Sequence, residues 1–194
     1  MLGRICVFCG SSSGRRPEYE AATARLGQVL VQSGIELVYG GGRVGLMGIL
    51  ANAVLEAGGR AIGVMPQALV AKEIAHTGLT ELRVVQSMHE RKALMADLAD
   101  AFILLPGGFG SWDEFCEIIT WAQLGIHRKP AGVLNVAGYY DAWFTLWATA
   151  VHEGFVRLSH KRMIVVEEDP ERLLAQLHSP PMDVETKWAN ADQR

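Results

Sequence analysis

The sequence has 194 residues, a length for one domain, and 49% of them are hydrophobic, enough for a sizeable core. Its 18 basic and 21 acidic residues leave a formal net charge of -3, with no basic run, which excludes the electrostatic footprint of a nucleic-acid binder. No stretch is long and apolar enough to span a membrane, and Met1-Leu2-Gly3-Arg4 leads straight into a strand without a signal-peptide pattern, so a cytoplasmic protein with no membrane partner is expected.

Residues 4–9 read as the first strand. Cys6 and Cys9 within it form a C-x-x-C, but residues three apart on a strand face opposite sides of the sheet, and no second pair completes a zinc site. Both are expected as small buried apolar residues, and three cysteines in all do not make a disulfide scaffold. A loop at 10–14 follows, and Pro17 starts a helix that runs to about Gln32 and stops at Gly34. Residues 35–39 form the second strand, 40–45 a glycine turn, and about 46–56 a helix. The third strand, 60–65, is closed by Pro66 and followed by a less regular stretch, 67–80. The fourth strand is 82–85, and Ser87 caps a helix over 88–99. The fifth strand is 101–105, with a glycine turn and a helix from Trp112 to Gly125. Residues 131–135 and 163–166 are strands six and seven, with helices over 139–153 and 170–178. Nearly all-apolar strands alternating with helices predict a doubly wound, Rossmann-like α/β domain over 1–178, with a mostly parallel sheet of about seven strands and right-handed crossovers. Residues 179–194 are expected as a polar C-terminal tail.

In such a fold ligands bind beyond the carboxyl ends of the strands, and the glycine turns fall on that edge. Pro106-Gly107-Gly108-Phe109-Gly110-Ser111 leads from a strand into a helix start, a site for an anion, most simply a phosphate. The missing side chains at Gly107, Gly108 and Gly110 let a ligand approach the backbone. Ser111-x-x-Glu114 reads as a capping box, so a structural role for Glu114 competes with a chemical one. Gly40-x-Gly42-x-x-Gly45 matches a dinucleotide fingerprint, but it follows strand two, and Gly63-Val64-Met65-Pro66 stands where the ribose-binding acid belongs. NAD is therefore discounted, and the turn is read as a close-packed loop lining the cleft or as a tight turn without a ligand.

On the helix 88–99, Met88, Leu94, Met95 and Leu98 form one apolar arc with Arg91 in its middle. Arg91 lies in the first turn, so it either points into the cleft, which is favoured, or snorkels past the helix end to solvent. Lys92 borders the arc, while His89 and Glu90 project away. Glu114 flanks the buried arc Phe115, Ile118, Ile119 and Ala122. An arginine, a carboxylate and a phosphate turn together suit cleavage at a sugar carbon of a sugar phosphate through an oxocarbenium-like state. The histidines show no metal-ligand spacing, and Walker A and nucleophile-elbow motifs are absent. Trp112, Trp121, Trp143 and Trp147 suit core packing or a subunit interface.

Ser87-Met88-His89-Glu90-Arg91-Lys92 and Pro106-Gly107-Gly108-Phe109-Gly110-Ser111-Trp112-Asp113-Glu114 together resemble the LOG family of cytokinin riboside 5'-monophosphate phosphoribohydrolases, formerly misannotated as lysine decarboxylases. The resemblance covers about residues 4–178, and Cys9-Gly10-Ser11-Ser12, Tyr39-Gly40-Gly41-Gly42 and Gly45-Leu46-Met47-Gly48 also fit it. It implies hydrolysis of the N-glycosidic bond of an adenosine-type nucleotide monophosphate, with Arg91 and Glu114 as the catalytic pair. It implies phosphate binding at Gly107, Gly108, Gly110 and Ser111, with Glu73, Lys92, Thr120, Ser12, Gly41 and Gly42 around the substrate. No metal or cofactor is implied, and a homodimer is. Ser111 stands where the family has threonine, keeping the hydroxyl and losing a methyl. The rival readings are a general AMP nucleosidase and a non-catalytic nucleotide or cofactor carrier. A pyridoxal phosphate decarboxylase lacks its Schiff-base lysine and pyridine-nitrogen partner here.

Overall fold

The computed structural model describes residues 2–70 and 74–178. Seven strands, β1 (Arg4–Phe8), β2 (Glu36–Tyr39), β3 (Ala61–Pro66), β4 (Glu81–Val85), β5 (Ala101–Leu104), β6 (Ala131–Leu134) and β7 (Ile164–Glu167), form one all-parallel sheet in the order β4-β3-β2-β1-β5-β6-β7. The helices are α1 (Pro17–Gln32), α2 (Gly45–Glu56), α3 (Gln67–Val70), α4 (Met88–Leu98), α5 (Phe109–Gln123), α6 (Asp141–His152), α7 (Leu158–Lys161) and α8 (Pro170–Leu177), with a 3-10 turn over Val136–Gly138. Among the described residues no helix is long and apolar enough to cross a membrane.

The inner strands are buried on both faces and therefore read as unbroken apolar runs, whereas the edge strands β4 and β7 are partly exposed and carry Glu81, Arg83 and Glu167. On one face Ile5, Val7 and Cys9 pack with α1, α2 and α8 residues such as Leu30, Leu50 and Leu173. On the other, Cys6 and Phe8 pack with Met95 of α4, Phe115 and Ile118 of α5, and Tyr140. Cys6 and Cys9 thus lie on opposite sides, both free and buried, as the two-residue period of a strand requires.

The chain steps outward from β1 to β4, then returns through α4 to lay β5 against the other side of β1. The loops after β1 and β5 leave the sheet in opposite directions, and a crevice opens at this reversal. It is pinned where the Gly10 N–H donates to the Pro106 carbonyl at 3.0 Å.

Three local expectations are corrected. Helix α5 starts at Phe109, with Gly108 as its N-cap, three residues before the expected start. Ser111 is therefore the third helical residue, its side chain caps nothing, and the Ser111–Glu114 capping box does not form. A near variant forms at α4, where Ser87 Oγ accepts from the Glu90 N–H at 3.1 Å and the Glu90 carboxylate accepts from the Gln86 N–H at 2.8 Å. The helix expected from Tyr139 starts at Asp141, after the 3-10 turn. The expected tail, 179–194, lies outside the described residues.

Candidate active site at the carboxyl edge of the sheet

The Pro106–Ser111 turn carries the four N–H groups, those of Gly108 to Ser111, that precede the first intrahelical bond, from Trp112 N–H to the Gly108 carbonyl at 3.0 Å. The positive end of the α5 dipole lies behind them, so an anion is favoured here. A Cβ at Gly108 or Gly110 would meet open space, which leaves the backbone approachable. Gly107 differs from expectation: a Cβ there would lie 2.3 Å from Ser111 Oγ, so the buried Ser111 side chain already fills that place. In front of the turn is a cavity of about 290 Å³, bounded by the Gly10–Gly14 loop, Tyr19, Leu46, Pro106–Gly108 and Tyr139.

Arg91 and Glu114 meet beside this turn. Arg91 projects from the first turn of α4 and is only 9% exposed, so it does not snorkel to solvent. Its Nε donates to the Val64 carbonyl at 3.0 Å and its Nη2 to the Gly40 carbonyl at 3.1 Å, at the carboxyl ends of β3 and β2. Its Nη1 lies 3.7 Å from Glu114 Oε1. A buried charge needs such partners, and they hold the guanidinium in one place. Gly40 is a glycine for this reason, since a Cβ would stand 2.0 Å from Arg91 Nη2. Burial pushes the Glu114 carboxyl above the usual range, and the Arg91 charge works against that shift.

Lys92, next to Arg91 on α4, pairs with the neighbours of Glu114 on α5. Its Nζ is 2.9 Å from Glu117 Oε2 and 3.1 Å from Asp113 Oδ2, which straps α4 to α5. The hydrogen bond to Glu117 is the main cause that raises its pKa. The two carboxylates neighbour Glu114 and push its pKa up, while Lys92 and Arg91 push it down.

The remaining expected site residues are spread. Ser12 is exposed and borders the cavity. Gly41 and Gly42 are buried and engaged by the chain itself: the His76 N–H donates to the Gly41 carbonyl at 2.9 Å, and Gly42 forms an isolated bridge with Ala75. Thr120 is exposed, donates to the Cys116 carbonyl at 2.8 Å, and lies about 120° around α5 from Glu114, so the helix does not bring the two together. Glu73 lies outside the described residues. Tyr139 and Tyr140 belong to no motif in the sequence, yet their phenols donate to the Gly107 carbonyl at 2.6 Å and the Leu105 carbonyl at 2.8 Å. The adjacent tyrosines at the start of an expected helix were their only signal.

Residues 47–177 match the family model described as "Possible lysine decarboxylase". The chain is 49% identical over 195 residues to the Arabidopsis thaliana cytokinin riboside 5'-monophosphate phosphoribohydrolase LOG7, covering 98% of this chain and 90% of that one. It is 48% identical over 187 residues to the Oryza sativa subsp. japonica cytokinin riboside 5'-monophosphate phosphoribohydrolase LOG, covering 95% of this chain and 77% of that one. Among solved structures, the molybdenum cofactor binding protein of the phototrophic bacterium Rippkaea orientalis superimposes with a TM-score of 0.69 at 18% identity, covering 91% of this chain and 96% of that one. That likeness is one of fold. At about half identity over nearly the whole chain, the sequence belongs to the LOG family of cytokinin riboside 5'-monophosphate phosphoribohydrolases.

Proposed function

We propose that this protein hydrolyses the N-glycosidic bond of N6-substituted adenosine 5'-monophosphates, releasing the free cytokinin base and ribose 5-phosphate. The observation that carries the reading is the Arg91–Glu114 pair, 3.7 Å apart with Arg91 buried and Glu114 partly buried, beside a helix start with open N–H groups. Curated relatives at about half identity bear the name of that activity.

In this reading the 5'-phosphate docks on the N–H groups of Gly108, Phe109, Gly110 and Ser111. The C1'–N9 bond breaks, and the base leaves with the electron pair and takes up a proton. Positive charge grows on the ribose, and the ionised Glu114 carboxylate stabilises it. Water adds at C1' and loses a proton, giving ribose 5-phosphate. Arg91 holds the ribose and phosphate and keeps Glu114 ionised against its burial. Lys92 acts through Glu117 and Asp113 on the placement of α5. Ser12 serves the substrate from the cavity rim.

The test is chromatography of the base released from AMP and from isopentenyladenosine monophosphate by the wild type and by Glu114→Ala. The wild type is expected to release base and ribose 5-phosphate, with the N6-substituted nucleotide preferred. Glu114→Ala is expected to lose about 10²-fold or more while folding normally. Faster turnover of AMP moves the reading to general nucleotide salvage. Nucleotide bound without base release moves it to a carrier, and wild-type turnover by Glu114→Ala removes the carboxylate's role.

The same reading takes the protein as a homodimer. Helix α6 buries none of its residues within the chain, it presents Leu146 at 60% exposure, and Phe155 beyond its end is 87% exposed. Light scattering checks this: a dimer gives twice 21.2 kDa, and a mass of one chain overturns it.

A further inference from the structure

Three consecutive carbonyls ahead of α5 are each held by a donor from elsewhere. The Leu105 carbonyl accepts from the Tyr140 phenol at 2.8 Å, the Pro106 carbonyl from the Gly10 N–H at 3.0 Å, and the Gly107 carbonyl from the Tyr139 phenol at 2.6 Å. The two tyrosines are delivered by the turn Val136–Gly138. There Ala137 has φ +51°, a conformation that L side chains rarely adopt, so the turn is held in place by its surroundings. Buried Asn135 does much of that: its Oδ1 accepts from the Tyr140 N–H and its Nδ2 donates to Asp141 Oδ1, both at 2.8 Å. Arg16 Nη1 donates to the Ala137 carbonyl at 3.3 Å. The Tyr139 ring lies edge-on between Tyr19, at 5.7 Å, and Tyr140, at 4.8 Å.

The peptide between Gly107 and Gly108 joins two glycines, so its own preference for one orientation is weak. In a trans peptide the carbonyl and the N–H point to opposite sides, and no cis bond occurs among the described residues. Drawing the Gly107 carbonyl to Tyr139 therefore fixes the Gly108 N–H, the first of the four N–H groups ahead of the α5 ladder, on the opposite side of the peptide. The flipped peptide would offer an anion a carbonyl oxygen instead. Burial and the neighbouring Tyr19 push the Tyr139 phenol above its usual pKa, so it remains a donor at working pH.

We propose that Tyr139 is a positioning residue of the phosphate site: its phenol fixes the Gly107–Gly108 peptide so that an N–H, not a carbonyl, meets the phosphate of the substrate. This rests on the phosphoribohydrolase reading for the identity of the ligand. Asn135 and the strained turn serve to aim that phenol.

Tyr139→Phe keeps the ring between Tyr19 and Tyr140 and removes only the donor. The wild type and the variant are compared for KM and kcat with isopentenyladenosine monophosphate, for inhibition by ribose 5-phosphate and by adenine, and for melting temperature. KM and the ribose 5-phosphate inhibition constant are expected to rise together by about threefold to tenfold, the effect of one hydrogen bond. The adenine constant, the melting temperature and, to within about twofold, kcat are expected to hold. Unchanged KM and ribose 5-phosphate inhibition overturn the proposal, and so does an equal rise for adenine, which would mean a general loosening of the site. A wild type that releases no base overturns the parent reading. In that case calorimetric binding of ribose 5-phosphate to the two proteins decides on Tyr139: weaker binding by the variant supports it, and equal binding or none overturns it.

Discussion

Two glycine turns leave the carboxyl edge of the sheet, one after β2 and one after β5, and their glycines answer opposite demands. In the first, protein occupies the place of the missing side chain at Gly40, Gly42 and Gly45. A Cβ at Gly40 would meet Arg91 Nη2 at 2.0 Å, one at Gly42 would meet Met47 at 2.8 Å, and one at Gly45 would meet the Ser11 backbone at 2.3 Å. In the second, the places at Gly108 and Gly110 are open, and only Gly107 is filled, by Ser111. A glycine in a sequence says that something comes close to the backbone. It does not say whether that is the chain itself or a ligand. The dinucleotide-like spacing of Gly40, Gly42 and Gly45 arises here from internal packing, while the less orthodox turn after β5 keeps its backbone free.

A pair of alanine substitutions breaks or sharpens this contrast, and it carries the largest effects. Gly45 has φ +61° and a backbone neighbour that cannot move aside cheaply. Gly45→Ala is expected to cost more than about 2 kcal/mol of stability and to take activity with it by displacing the Ser11–Ser12 loop. Gly110 sits in the first turn of α5 with nothing within 4 Å of its missing Cβ. Gly110→Ala is expected to hold or raise stability, by up to about 1 kcal/mol from helix propensity, while KM for a nucleotide monophosphate rises. Thermal melting and steady-state kinetics on the two variants check this. A destabilised Gly110→Ala, or one with unchanged KM, would erase the distinction between the turns.

The architecture was legible because a parallel sheet buried on both faces writes its strands as continuous apolar runs, and glycines mark where they end. Arg91 was legible for a related reason: a charge on the apolar arc of α4 must have buried partners, and a helix start at the sheet edge supplies them. What those partners were was not legible, since Val64 and Gly40 lie 27 and 51 residues away in the chain. Ser111 differs from expectation because S-x-x-E occurs at both helix starts, and local spacing cannot tell which serine precedes the first turn. The glycines let α5 begin at Phe109, so Ser111 falls inside the helix and packs on Gly107 instead. Tyr139 and Tyr140 carry no sequence signal of their role because their contacts, 32 and 35 residues back, follow from strand order.

The two turns meet through α4 and α5, and Lys92 is the strap between those helices. Arg91 is anchored on the first turn, Glu114 rises from the second, and Lys92 holds Asp113 and Glu117, which share one flank of Glu114 on α5. Lys92→Met keeps the aliphatic stem and removes the charge. Three effects on Glu114 then act in one direction: a cation that lowered its pKa is gone, and two carboxylates that raise it lose their counter-ion. If Glu114 works as the carboxylate, activity falls as pH drops through its pKa, so the acid limb of kcat/KM reports that group in the free enzyme. The limb is expected to move to higher pH in Lys92→Met, with a loss at neutral pH of less than about threefold, because the strap itself is a partly exposed ion pair. A pH profile of the variant beside the wild type checks this. An acid limb that stays in place, or moves to lower pH, would mean that Glu114 does not titrate in that limb, and that the first turn's arginine alone sets the charge at the point where the two turns meet.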